Sequence, residues 1–257
     1  MIATLNTFIH EFDKVNFSST FDWFMAMDTL ICATIVLRTL QSLKNEGKID
    51  RIPWLYGFVL LLAFGLGGTS LSSTMRGEGW WMFDYDIIIP MYAICWTVVA
   101  YSPKNITFRI LTNKYVEFAT WILDGWFNAQ WIIGAVQTGV TKFPGRLLAP
   151  LIISTFSAVG TGTAYPIMLN GYLLKKEHKT FKTPFSNPGW VNFIIPSSFS
   201  WFYYFSKYIY GINQFDVTLP NNETLIFTPE FLVKMMNITW YIYFWYTAHF
   251  PVQNKSA

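Results

Sequence analysis

The chain has 257 residues, 53% hydrophobic, 19% aromatic and only 13% charged, with a formal net charge of +3. Soluble domains carry roughly 25% charged residues, so the composition excludes an ordinary water-soluble core. The small net charge excludes the dense basic face that a nucleic-acid partner requires.

The charges cluster between long apolar runs, and a bilayer core of ~30 Å needs about 20 residues per helix. The first hydrophobic segment runs from about Phe21 to Leu40, and the second from Pro53 to about Ser73. The third covers roughly Ile87 to Tyr101, with Pro103 as its stop. The fourth, roughly Asn113 to Thr138, is the most polar. The fifth runs from Leu147 to Leu174, the sixth from about Trp190 to Tyr210, and the seventh from about Phe231 to Phe250. The pattern predicts an all-α, polytopic membrane protein with seven transmembrane helices and one transmembrane domain over residues 1–257. Cys32 and Cys95 fall inside apolar runs and read as small buried hydrophobes. No basic start followed by a cleavable apolar stretch marks a signal peptide.

Orientation follows from lysine and arginine in the loops. With seven spans, one side collects Arg38, Lys44, Lys48, Arg51, Lys104, Arg109, Lys114, Lys175, Lys176, Lys179, Lys182 and Lys255. The other collects Lys14, Arg76, Lys142, Arg146, Lys207 and Lys234, so the 18 basic residues divide two to one. The N-terminus is therefore expected in a lumen or outside, and the C-terminus in the cytosol. The sequons at Asn16 and Asn222 then fall on the lumenal side. Trp80-Trp81 reads as an aromatic belt at that surface, and His249 as an interfacial residue near the cytosolic end.

Segments two and five share a feature. Segment two contains Gly65, Gly67 and Gly68, with Ser70 just beyond; segment five contains Gly160 and Gly162, then Pro166 and Gly171. Each is the middle helix of a three-helix group, about 20–103 and 107–211, with a seventh helix at about 229–250. An odd number of spans per group inverts the second relative to the first. Glycine-interrupted segments at matching positions point to a substrate path, because freed backbone must line protein or water. Close helix packing through small residues is the competing reading. On the path reading, helices two and five bend near Gly67 and Gly162.

Segment four carries a polar stripe. At about 100° per residue, Asn113, Glu117, Thr120, Asp124, Asn128 and Thr138 fall on one face. An ionisable group inside a membrane faces a bundle interior or water. Asp124 is thus expected on a path; on the competing reading it pairs with another helix and Asn113 and Glu117 lie at the interface. Asp28, deep in segment one, is a further candidate; Asp22 lies near the lumenal end.

With these residues in place, the chain from about Phe21 to the seventh helix resembles the trimeric intracellular cation (TRIC) channel family. The resemblance rests on the order and spacing of Phe21-Asp22, Pro53-Trp54-Leu55, Phe64 to Gly68, Tyr101-Ser102-Pro103, Gly160-x-Gly162 and Pro196-Ser197. It implies seven helices in two inverted repeats, glycine-bent second and fifth helices lining one pore per subunit, and a homotrimer. It also implies a monovalent cation channel that passes potassium as counter-ion across an intracellular membrane such as the endoplasmic reticulum. Membrane lipid is an implied partner, and no cofactor beyond the permeant ion is implied. The chain departs from the family on helix four. A basic motif that holds an anionic lipid there falls on Leu123 to Gln130, which has no basic residue, and the lysine that often precedes the helix-five glycines is Val159.

Other classes fit less well. Seven-span solute carriers have parallel repeats joined by a linker helix, which the polar stripe on helix four argues against. A seven-helix retinal receptor needs a lysine in mid helix seven, whereas Lys234 sits at its entrance. An enzyme is not expected: His10, His178 and His249 are widely separated and form no metal or nucleophile motif.

Overall fold

A computed structural model describes residues 2–14, 21–47, 49–83, 85–159, 168 and 189–249. The helices are α1 (Ile2–Lys14), α2 (Phe21–Asn45), α3 (Trp54–Met75), α4 (Ile88–Tyr101), α5 (Ile106–Leu111), α6 (Lys114–Lys142), α7 (Leu148–Val159), α8 (Gly189–Tyr204) and α9 (Pro229–His249). Their limits follow local chemistry. Pro53 opens α3 from an extended conformation (φ −69°, ψ 137°), since its ring pre-sets φ and it has no N–H to lose. Ser102, just before Pro103, is extended and ends α4, as the proline ring disfavours helix at the preceding residue. Asn113 caps α6, its side chain accepting from the Tyr115 backbone N at 3.1 Å. That cap accounts for the first residue of the polar stripe.

By length and composition, the stretches Met25–Asn45 and Trp54–Met75 are long and apolar enough to cross a membrane; α4 and α7 are shorter apolar helices. Large apolar side chains also point outward, among them Leu55, Ile94 and Leu148. Two cores hold the bundle. The first joins α2, α3 and α4 through Leu40, Leu60, Tyr92, Trp96 and Val99. The second joins α6, α7, α8 and α9 through Ile132, Val136, Val159, Tyr203 and Val233. Among the described helices, α6 and α9 share the most extensive contact. Gly125 makes that close approach possible, because a Cβ there would meet the Ile238 Cα at 2.9 Å.

Two elements correct the all-α expectation or add to it. Strands β1 (Phe215–Thr218) and β2 (Thr224–Phe227) form an antiparallel hairpin, with Phe215 opposite Phe227 and Thr218 opposite Thr224. An amphipathic helix, α1, precedes the first hydrophobic segment and is tied to this hairpin. The Asn6 amide donates to the Thr224 carbonyl at 3.1 Å and accepts from the Ile226 N–H at 3.1 Å. Lys234 locks the other end of α1. Its ammonium, buried on α9, donates to the Phe12 and Asp13 carbonyls, each at 3.1 Å, and lies 3.6 Å from the Asp13 carboxylate. A lysine there satisfies carbonyls that a helix end leaves open and complements the helix dipole. Thr228 hydrogen-bonds to Asp13 and completes the lock.

Candidate functional site

Between the two cores lies a cavity of about 340 Å³ walled by α2, α3, α6, α7, α8 and α9. Two helices aim polar pairs at it. Asp28 and Cys32 are one turn apart on α2, and Asp124 and Asn128 are one turn apart on α6, the spacing that puts side chains on one helix face. Asn128 Nδ2 donates to the Tyr241 hydroxyl at 2.9 Å. No hydrogen bond or ion pair reaches Asp28 or Asp124 from the described residues.

Smaller pockets continue the cavity in two directions. Thr69, Trp131 and Ser157 are shared with a pocket of about 180 Å³ that ends on Arg76. Ile35 and Trp121 are shared with one of about 20 Å³ that ends on Arg38 and Glu117. Each end carries an ionic cluster. At the first, Arg76 donates to Ser72 Oγ (3.1 Å), Ser73 Oγ (3.0 Å) and Glu78 Oε2 (2.6 Å), and Lys142 donates to Glu78 Oε1 (2.8 Å). Burial works to raise the Glu78 carboxyl, but the hydrogen bonds from Lys142 and Arg76 outweigh it and hold it below the usual range. At the second, Arg38 Nη1 lies 2.7 Å from Glu117 Oε1, and His249 Nε2 lies 3.4 Å from Glu117 Oε2.

The polar stripe of α6 divides by role. Glu117 is buried in the ion cluster with Arg38 and His249. The Thr120 hydroxyl bonds back to the Glu117 carbonyl at 2.8 Å. Asp124 and Asn128 line the cavity, and Thr138 lines the pocket that leads to Arg76. Asp28 joins Asp124 there, whereas the Asp22 side chain lies outside what is described.

The α3 helix is continuous from Trp54 to Met75, through Gly67. Gly65 and Gly68 line the cavity; Gly67 and Ser70 do not. A Cβ on Gly68 would stand 2.6 Å from the Ser157 carbonyl oxygen, and one on Gly65 2.5 Å from the Tyr92 hydroxyl oxygen. The residues act as close-packing points where α3 crosses α7 and α4. Gly160, Gly162, Pro166 and Gly171 lie outside the described residues.

Several cavity residues carry no sequence motif. Trp121, Trp131, Trp240, Tyr241 and Phe244 come to one wall from α6 and α9. The spacing of Asp28 with Cys32, matching that of Asp124 with Asn128, is a sequence signal that could have indicated two faces on one cavity.

No family model matches this sequence, and no curated protein does either. Solved structures do match. A trimeric intracellular cation channel from C. elegans, solved without Ca2+, has a TM-score of 0.61 at 16% identity, covering 96% of each chain. The Ca2+-bound form gives 0.59 at 15% identity, again with 96% of each chain. A structure from work on the activity of TRIC counter-ion channels in calcium release gives 0.68 at 13% identity, covering 95% of this chain and 99% of that one. Over nearly its whole length, this chain has the fold of the trimeric intracellular cation channels.

Proposed function

We propose that the protein is a divergent member of the TRIC family: a homotrimeric channel that passes monovalent cations, with potassium as counter-ion, by one path in each subunit. Seven spans make up each subunit on this reading. Helices α2 to α4 and α6 to α8 are inverted three-helix repeats, and α9 is the seventh span. The separation of the packing into two cores supports that division. The membrane is the endoplasmic reticulum or another intracellular one, with the N-terminus lumenal and the C-terminus cytosolic, as the loop charges suggest. Lipid surrounds the outward apolar faces.

The observation that carries the reading is the pair of carboxylates, Asp28 and Asp124, in the cavity between the cores. Ionisable groups within a membrane are costly and face water or partners, and negative side chains along a narrow route favour cations. The clusters at Arg76 and Glu117 close the ends of this route, so conduction requires them to part. The direct test is recording from the purified protein in planar bilayers. Unitary currents carried by potassium are expected; a protein that inserts as a trimer and stays silent under all applied voltages refutes the channel reading.

A further inference from the structure

We infer that the central cavity is a binding site for a small organic ammonium ion, held between the carboxylates of Asp28 and Asp124 and an aromatic wall. The inference deepens the conduction reading, since an ion lodged there occupies the same route. A bare alkali ion is satisfied by a ring of oxygens, but this cavity offers something else. Its α6–α9 wall is a continuous set of rings. Trp121 lies 5.7 Å from Tyr241 and 6.4 Å from Phe244, and Trp240 meets Phe244 edge-on at 4.6 Å and 72°. The negative faces of such rings attract cations, and aromatic cages are a recurring solution for quaternary ammonium groups.

The carboxylates supply the charge complement from α2 and α6, unpaired by any described residue. An independent feature also points inward. The Cys32 thiol, 6% exposed, also lines the cavity. It is soft and polarisable, suited to the methyl groups of an ammonium head rather than to a hydrated metal ion. The volume of about 340 Å³ falls within the ~300–1,000 Å³ of small-molecule sites.

The test is titration calorimetry on the full-length protein in detergent, with choline and its uncharged isostere dimethylbutanol as probes. Choline is expected to bind saturably, one per chain, and the isostere at least about tenfold more weakly. Asp124→Asn and Trp240→Leu should each weaken choline by about tenfold or more, while Trp240→Phe, which keeps a ring, retains most of the binding. Trp54→Leu, on the outer surface, should leave it unchanged. Equal binding of the two probes to the wild-type protein overturns the inference without any variant having to fold. So does choline binding that survives both Asp124→Asn and Trp240→Leu. Conduction separates this from the channel reading. Potassium currents without choline binding overturn the ammonium site alone, whereas choline binding in a protein that never conducts upholds the site and removes the channel.

Discussion

Arg38 on α2 holds its Nη1 2.7 Å from Oε1 of Glu117 on α6, and the two side chains are 46% and 6% exposed. The asymmetry decides which partner matters more. Removing one half of a buried pair costs about 3–5 kcal/mol, because the other charge stays in low dielectric; exposed pairs contribute about 0–1 kcal/mol. Arg38→Ala strands the buried carboxylate, with His249 and the Trp121 indole N–H left beside it, and is expected to cost about 2–3 kcal/mol. Glu117→Gln leaves an arginine that reaches water and costs about 1 kcal/mol. Apparent melting temperatures in detergent check the order, and a larger drop for Glu117→Gln contradicts it.

The crossing of α3 and α7 gives a second expectation. Backbone atoms of Phe156 and Ser157 stand where a Cβ on Gly68 would go, and backbone cannot swing aside as a side chain can. Gly68→Ala should therefore lower stability by about 1–3 kcal/mol, the usual cost of overpacking. Gly134, with nothing within 4 Å of its would-be Cβ, should accept alanine with a gain of up to about 1 kcal/mol. The same melting experiment compares them, and a neutral Gly68→Ala would mean that the crossing is looser than the structure has it.

These residues also show what the sequence made legible. Helix limits were readable where proline punctuates them: the second segment was expected at Pro53 to Ser73 and is found at Trp54–Met75, and the third stops before Pro103. Helix α1 was missed because its apolar stripe is too short to read as a span. The hairpin was missed because four-residue strands around a Pro-Asn-Asn turn carry little periodicity. Glycine spacing alone could not separate a hinge from a crossing point, since both need a missing side chain. The meeting of Asp28 with Asp124 depends on how two distant helices pack, which no local pattern encodes.

The cluster at the Arg76 end responds to acid with a definite sign. The Glu78 carboxyl is held below its ordinary value by Lys142 and Arg76. A depressed folded value means that its stabilisation is complete above the ordinary value of about 4.3 and is lost as the pH falls through the folded value. The melting temperature of Glu78→Gln should therefore lie below wild type at neutral pH, and the gap should close as the pH falls below the ordinary carboxylate range. A gap that stays constant across that range would show that the bridge contributes nothing.

The central claim is that cations pass beside Asp124. Its most direct test is the reversal potential of single-channel currents in a potassium chloride gradient, measured for the wild-type protein and for Asp124→Asn. The wild type should reverse close to the potassium equilibrium potential. Asp124→Asn, still eluting as a trimer, should carry less current and reverse nearer to zero, because a fixed negative charge beside the route has gone. An Asp124→Asn protein that loses its oligomeric state while the surviving channels keep wild-type conductance and reversal potential would contradict the account and make Asp124 a structural contact.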